Sequence, residues 1–251
     1  MQKWNLKPAR DLGMPLNKSL RSLQRENGLI ATAFHLAFWT CVKVYLKLWH
    51  RLSVRGEHHI PATLPFVLVA NHSSHLDALV LASRVPWRHR DQTFPIAAGD
   101  VFFDSPMTAS FAAMMLNALP MWRKKCGPRD LQELRERLVS EPCAYILFPE
   151  GTRSRTGAMT RFRPGLGALV AETAVAVVPC YLEGCFEALR PEWKLPRLKR
   201  VTLHVGEPVT FNEVANDRAG WISIAETMEA RVKRLSGVVA TATDQASSGP
   251  A

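Results

Sequence analysis

The chain has 251 residues, a formal net charge of +10 and 47% hydrophobic residues. This length can bury a sizeable core and fits one α/β domain, or at most two small ones. The five cysteines are scattered, with neither a CxxC pair nor a metal-ligand pattern with histidine. Their odd number is unusual for a disulfide scaffold and favours reduced thiols in a cytosolic setting. A basic chain favours anionic partners such as nucleic acid, anionic lipid or phosphorylated small molecules.

The positive charge is concentrated near the N-terminus. Residues 1–60 contain ten Lys or Arg against three acidic residues, which is +7 of the +10. We predict that residues 1–52 form a first segment, a basic arm followed by a membrane-interface helix. No long apolar block comes before Leu29, so we predict no signal peptide.

The second half of this segment is both apolar and basic. Its apolar run spans residues 29–42, which is shorter than the roughly 20 residues needed to cross a bilayer. Three cations follow at intervals of four, along one side of a helix: Lys43, Lys47 and Arg51. We predict a helix in the membrane plane that buries four aromatic residues in lipid and turns its basic row to lipid phosphates: Phe34, Phe38, Trp39 and Trp49. Two alternatives stay open, a helix packed on the core of its own domain and a tilted membrane-spanning helix.

Strand and helix patterns alternate through residues 53–235. Strands are predicted at 66–70, 93–98, 144–149, 175–181 and 199–205, and helices at 78–85, 107–119, 130–138, 166–173 and 220–235. The alternation predicts an α/β fold, a single domain whose central mixed, mostly parallel sheet is flanked by helices and preceded by the N-terminal amphipathic helix. Residues 54–56 have the pattern of an edge strand ending in a turn, and residues 236–251 that of a disordered tail.

Residues 71–77, NHSSHLD, follow the first predicted buried strand, where open α/β sheets place their active sites. A histidine can take a proton from a hydroxyl near neutral pH, and a carboxylate on its other ring nitrogen fixes the tautomer. His72 and Asp77 can meet if the histidine precedes the helix and the carboxylate lies in its first turn. The alternative is a capping box formed by Ser74 and Asp77, with no catalytic role. His75 is a rival base, but its spacing from Asp77 points the two side chains apart.

Residues 148–154, FPEGTRS, follow another predicted strand and have the features of a phosphate site. Gly151 would let the backbone approach an anion closely, and Arg153 would bind it with two hydrogen bonds. Glu150 would orient that arginine or a substrate hydroxyl. The alternative is a polar turn with a solvated arginine.

The two motifs together resemble the glycerolipid acyltransferase family, in particular its 1-acylglycerol-3-phosphate acyltransferase (PlsC-like) group. Residues 71–77 match the N-H-x-S-x-x-D block, which contains the H-x4-D motif, and residues 148–154 match F-P-E-G-T-R-S without a mismatch. Residues 177–179, Val-Val-Pro, are similar to a further block of the family. Two blocks in the right order and spacing favour the active site over both structural alternatives.

A second block of the family, G-x-x-F-I-x-R, matches poorly. Residues 117–123 keep its arginine, Arg123, but not its glycine or phenylalanine. That block is associated with acceptor binding in the family, so the acceptor stays open. The candidates are lysophosphatidic acid, another lysophospholipid, an ornithine-type lysolipid and glycerol 3-phosphate.

The resemblance implies a role for each matching residue. His72 would be the general base for an acceptor hydroxyl, and Asp77 would orient it. The acceptor would be bound by Glu150, Gly151, Thr152 and Arg153, with Arg153 and Arg123 on its phosphate. The implied reaction moves a fatty acyl group from acyl-CoA or acyl carrier protein to the free hydroxyl of 1-acylglycerol 3-phosphate, making phosphatidic acid for phospholipid biosynthesis. No metal or bound cofactor is implied.

The expected location is the cytoplasmic face of the cell membrane, with the N-terminal helix on an anionic surface. A rival hypothesis is a membrane lipid-binding protein that keeps the fold without turnover. Nucleic acid is not an expected partner, because the chain lacks a nucleic-acid-binding motif and aromatic–basic interleaving on its strands.

Overall fold

The structure is a computed structural model that describes residues 29–98, 118–121, 128–193 and 195–247. The predicted basic arm at 1–28, most of the predicted helix at 107–119 and Arg123 lie outside the described residues. Leu119, the last residue of that predicted helix, begins a strand instead.

Seven strands in the described part of the chain form one sheet: β1 (Ser53–Arg55), β2 (Phe66–Ala70), β3 (Thr93–Ala98), β4 (Leu119–Met121), β5 (Ala144–Leu147), β6 (Ala176–Glu183) and β7 (Thr202–Val205). Their order is β1-β7-β6-β2-β5-β3-β4. Every neighbouring pair is parallel except β6 and β7. The predicted single α/β domain with a mixed, mostly parallel sheet is confirmed, as is the predicted edge strand at residues 54–56.

Helices cover both faces of this sheet: α1 (Leu29–Leu48), α2 (Asp77–Arg84), α3 (Pro128–Ser140), α4 (Gly165–Val170), α5 (Cys185–Ala188) and α6 (Arg218–Ser247). Two short 3-10 turns, Glu57–His59 and Trp87–Gln92, connect elements at the sheet edges. One hydrophobic cluster joins the sheet to α1, α2 and α5, and a second joins it to α3, α4 and α6.

The central strand β2 explains why two clusters form. Phe66 and Leu68 point into the first cluster, while Val67 and Val69 point into the second, because successive side chains of a strand alternate between faces. All five residues of β2 are buried, as expected for a parallel strand with helices on both sides.

The register of β2 and β5 brings the two sequence motifs together. Phe66 pairs with Ala144 and Val69 pairs with Leu147, so the parallel strands end at the same edge of the sheet. Residues 71–77 and 148–154 leave these adjacent strand ends and lie side by side.

The environment of the N-terminal helix α1 differs from the lipid interface predicted for it. Trp39 is 2% exposed and lies in the first cluster with Val42 and Leu46, so the prediction that Trp39 is buried in lipid is wrong. The physical reason is that the domain supplies its own apolar partners, since α1 packs against α2. The core therefore extends across the predicted boundary at residue 53.

The other side of α1 remains open. Leu36, Val44 and Leu48 are exposed, and Trp49 after the helix is 46% exposed. The helix ends at Leu48, so Arg51 does not continue the predicted basic row. Within the described residues, no helix has both the length and the apolar composition needed to cross a bilayer.

The C-terminal helix α6 is longer than its predicted range of 220–235. It continues to Ser247, whereas a disordered tail was expected from residue 236. Apart from Gly237, this stretch lacks helix-breaking residues, and the next proline is Pro250, so little in the sequence ends the helix.

Close packing of α4 against α6 requires a glycine at residue 167. A Cβ atom on Gly167 would lie 2.3 Å from Cα and 2.6 Å from the carbonyl oxygen of Trp221. Because both contacts are with backbone, we expect Gly167→Ala to lower the free energy of unfolding by about 1–3 kcal/mol, as measured by urea titration.

Gly165 provides the matched control for this substitution. It lies in the same helix, and a Cβ there has no heavy atom within 4 Å. Gly165→Ala should leave stability unchanged or raise it by up to about 1 kcal/mol, because alanine reduces the entropy of the unfolded chain. Equal stability of the two variants would contradict the close approach of α4 and α6.

Candidate active site

His72 and Asp77 meet at the turn between β2 and α2. Nδ1 of His72 lies 2.9 Å from Oδ2 of Asp77, the first residue of α2. A carboxylate can only accept, so Nδ1 carries the hydrogen and Nε2 is left with its lone pair. The predicted contact is confirmed, with the histidine before the helix and the carboxylate in its first turn. This arrangement can remove a proton from a hydroxyl, and that use stays a prediction.

The Asp77 carboxylate also organises the turn that precedes it. Its Oδ2 accepts the backbone N–H groups of Ser73 at 2.7 Å and Ser74 at 2.8 Å, and the residue is fully buried. The alternative capping box is formed in part: the Asp77 carboxylate accepts the N–H of Ser74, and the Ser74 hydroxyl accepts the N–H of Leu76 rather than that of Asp77. The same hydroxyl donates to the carbonyl of Leu189. The turn is thus stabilised by both side chains.

A buried thiol lies beside this carboxylate. Cys185 is fully buried at the start of α5. Burial, and then the negative charge of Asp77, raise the pKa of Cys185 well above its usual range, so the thiol stays neutral. Sequence reasoning treated the cysteines only as scattered thiols and missed this neighbour.

The ring of His72 is held by the second motif. It stacks on Phe148, with centroids 4.1 Å apart and planes 17° from parallel. Its side chain keeps 20% of its surface exposed. The stacking fixes the plane of the ring while leaving part of the ring open to a substrate.

Glu150 ties the two motifs together through their backbones. It is 3% exposed, and its Oε1 accepts the backbone N–H of His72 at 2.7 Å. Its Oε2 accepts both the N–H and the hydroxyl of Thr160, at 2.9 and 2.7 Å. The sequence predicted a substrate contact for this carboxylate, but the structure gives it protein partners on both oxygens. Glu150 holds the backbone of His72, while acceptor binding by its carboxylate stays a prediction. Thr160 is a partner that no sequence pattern indicated.

Gly151 allows the turn that follows. Its φ of 74° is in the left-handed region that favours glycine, and a Cβ would lie 2.9 Å from Nε of Arg163. Thr152, next in the chain, is exposed. Acceptor binding by these two residues stays a prediction.

Arg153 brings a cation to the same edge of the sheet. Its Nη1 contacts both ring nitrogens of His75, at 2.8 Å from Nδ1. Desolvation of the ring, and then the charge of Arg153, lower the pKa of His75, so a neutral ring faces the guanidinium. The spacing predicted that His75 points away from Asp77; in the structure its ring contacts Arg153, which no sequence pattern indicated. The site combines a histidine–carboxylate pair with a nearby arginine.

Asn71 attaches the first motif to β6, a role that sequence reasoning missed. Its side-chain amide donates to the carbonyl of Leu182 at 3.1 Å and accepts the N–H of Leu182 at 2.8 Å. The amide imitates one more rung of the hydrogen-bond ladder after β2 ends. The only indication in the sequence is that this polar residue directly follows a predicted buried strand.

A cleft of about 450 Å³ opens beside this site. It reaches Ser73 and is lined by residues at the end of β6 and before β7, among them Tyr181, Phe186, Lys199 and Arg200. Within residues 29–98, 118–121, 128–193 and 195–247, no group of three His, Cys, Asp or Glu is placed to hold a metal ion.

The contacts of Glu150 generate a stability prediction. In the unsubstituted protein, each oxygen of the Glu150 carboxylate accepts a backbone N–H. In Glu150→Gln one of these oxygens becomes an NH2 group, which then faces a backbone N–H. We expect the free energy of unfolding to fall by about 1–3 kcal/mol in urea titration, the cost of an unsatisfied buried donor.

Glu207→Gln is the control, since Glu207 is exposed on the surface. It makes the same chemical change and should leave the unfolding midpoint where it is. A Glu150→Gln protein as stable as the control would mean that the carboxylate does not hold His72 and Thr160.

Comparison with known proteins gives relatives for most of this region. The chain is 32% identical over 131 residues to the 1-acyl-sn-glycerol-3-phosphate acyltransferase alpha of Mus musculus, covering 51% of this chain and 44% of the mouse protein. It is 29% identical over 155 residues to the chloroplastic acyltransferase LPAT1 of Arabidopsis thaliana, covering 60% of this chain and 40% of that protein. The chain thus spans less than half the length of either relative.

The fold is similar to that of a solved structure. The crystal structure of the 1-acyl-sn-glycerophosphate acyltransferase PlsC from Thermotoga maritima superposes with a TM-score of 0.66 at 23% identity, over 84% of this chain and 81% of that one. The model of the Acyltransferase family matches residues 51–183, just over half of the chain, and includes both motifs. The chain therefore belongs to the Acyltransferase family.

Proposed function

We propose that this protein transfers a fatty acyl group from acyl-CoA or acyl carrier protein to the free hydroxyl of 1-acylglycerol 3-phosphate, forming phosphatidic acid. The observation that carries the proposal is the pairing of His72 with the buried Asp77 at a sheet edge that also presents Arg153. Family membership and the names of the mouse and Arabidopsis relatives support the same reaction.

The chemistry follows from the tautomer that Asp77 selects. Nε2 of His72 takes the proton of the acceptor hydroxyl as its oxygen attacks the thioester carbonyl carbon. Asp77 stabilises the imidazolium that forms. The tetrahedral intermediate then collapses with cleavage of the C–S bond, and the imidazolium returns its proton to the departing thiolate. The products are an ester and a free thiol, and His72 is restored.

Arg153 is proposed to bind the acceptor phosphate. Its Nη1 contacts the ring of His75, which precedes Asp77 by two residues in the first motif. An arginine can bind a phosphate through two parallel hydrogen bonds, and the neutral ring of His75 adds no competing charge. Binding of the phosphate there would place a glycerol hydroxyl towards the histidine–carboxylate pair.

The acceptor lipid and the exposed side of α1 suggest where the protein acts. Leu36, Val44, Leu48 and Lys47 are exposed together on that helix. We propose that this side rests on the anionic cytoplasmic face of the membrane, where the lipid acceptor and the soluble thioester donor both have access. The buried side of α1 belongs to the domain core, so a deletion of residues 1–52 would disturb folding as well as membrane binding.

The direct test is acyl transfer from radiolabelled acyl-CoA and acyl carrier protein to a panel of lysolipids and glycerol 3-phosphate. His72→Ala should reduce transfer by about 10²–10⁴-fold, because it removes the general base. Asp77→Asn should cause a loss of similar size while keeping an oxygen to accept the Ser73 and Ser74 N–H groups. His58→Ala, at an exposed histidine distant in sequence from both motifs, is the control. Full activity of a folded His72→Ala protein would refute the mechanism.

Arg153→Ala tests the phosphate site separately. Loss of a hydrogen-bonded charge pair should raise KM for lysophosphatidic acid by about 10–100-fold, with a much smaller effect on monoacylglycerol. Arg155→Ala is the matched control, because Arg155 is an exposed arginine two residues further on. An equal loss on both acceptors would argue against a phosphate contact.

A further inference from the structure

The connection between α5 and β7 exposes apolar side chains that are not buried in the core. We call residues 189–200 the α5–β7 loop. Its Leu195 is 80% exposed and its Leu198 is 58% exposed, among the largest apolar exposures in the described chain. A single exposed leucine is ordinary, but two in one short connection beside an active site require an explanation.

The α5–β7 loop folds around one tryptophan, Trp193. Trp193 packs against the first hydrophobic cluster, on the α1 and α2 side of the sheet. The guanidinium carbons of Arg197 and Arg190 lie 3.8 and 4.9 Å from its ring centroid. The N–H of Arg197 donates to the carbonyl of Ala188 at 2.7 Å. The two leucines are therefore held outward by a folded loop.

Cations flank these leucines in the sequence. The described residues of the loop include four cations and one carboxylate: Arg190, Arg197, Lys199, Arg200 and Glu192. Exposed leucines bordered by arginine and lysine are typical of surfaces that rest on anionic lipid, where the apolar groups enter the interface and the cations meet phosphates.

The loop adjoins the exposed end of α1. Nδ1 of His50 lies 3.0 Å from the carbonyl oxygen of Lys199, and Nε2 of His50 lies 2.9 Å from the Tyr45 hydroxyl. Leu48 and Trp49, both exposed, precede His50 directly. The apolar side chains of the loop thus continue the exposed surface at the end of α1, which favours one extended lipid-facing surface over a separate protein-docking patch.

The base of the loop also contacts the active site. The hydroxyl of Ser74 donates to the carbonyl of Leu189 at 2.7 Å. His75, the partner of Arg153, forms a hydrogen bond with the backbone of Pro191. A surface that touches lipid through this loop would hold the mouth of the site at the level of lipid phosphates.

We propose that the α5–β7 loop is a second membrane contact, in which Leu195 and Leu198 enter an anionic bilayer beside the active site. The inference deepens the proposed function, on which it rests for the identity of the lipid acceptor. It extends the membrane surface beyond α1 to a segment that lies more than 140 residues later in the chain.

The test measures binding of the full-length chain to vesicles of equal parts phosphatidylcholine and phosphatidylglycerol by sedimentation. The double variant Leu195→Ser/Leu198→Ser should bind at least tenfold more weakly. Val139→Ser, at an exposed apolar residue of α3 on the other face of the sheet, should bind within twofold of the unsubstituted chain. All three chains should have the same unfolding midpoint, because the substituted side chains are exposed.

Unchanged vesicle binding of the double variant would overturn the inference. If the double variant also binds acyl carrier protein more weakly, the loop is a protein-docking site instead. A short-chain lysophosphatidate below its micelle concentration provides a second measurement, since its acylation should be unaffected by the double variant while acylation of a vesicle-bound acceptor falls. If the unsubstituted chain acylates no acceptor, the proposed function fails, and vesicle binding still decides the role of the loop.

Discussion

The geometry of the site depends on the buried carboxylate of Asp77. Burial of an ionised carboxylate away from water costs roughly several kcal/mol of folding free energy unless hydrogen bonds replace its hydration. Here one oxygen accepts two backbone N–H groups and the ring of His72. The same contacts that compensate its burial also fold residues 72–74 around it. Orientation of the histidine and folding of the turn are therefore one event.

A second buried carboxylate has a parallel role on the other strand. Glu150 accepts the backbone of His72 on one side and Thr160 on the other, while Ser154 donates its N–H to the carbonyl of His72. The family motif that contains Glu150 thus has two parts in this chain. Its glutamate supports the first motif from within, and its half-buried Arg153 contacts the ring of His75.

Sequence patterns predicted the parts of this structure that are encoded locally. The run of residues 66–70 indicated β2 because every side chain is apolar, and the 71–77 pattern indicated the His72–Asp77 contact because a strand and a helix bracket it. The partners of Glu150 and Asn71 could not be predicted, since Thr160 and Leu182 come from distant segments that only the sheet register brings close. Trp39 was misassigned for a related reason, because an aromatic residue suits a lipid interface and a protein core equally well.

The burial of β2 has a consequence for how the site can move. This strand is covered on both faces and paired on both edges, so its amides are among the groups that open only when the whole domain unfolds. His72 lies two residues after the last residue of this strand, and the side chain of Asn71 between them is hydrogen-bonded to Leu182 of β6. The contact between His72 and Asp77 therefore lies beside one of the most deeply buried strands that the structure describes. Under the proposed function, adjustment to acceptors of different size has to come from the segments around this contact.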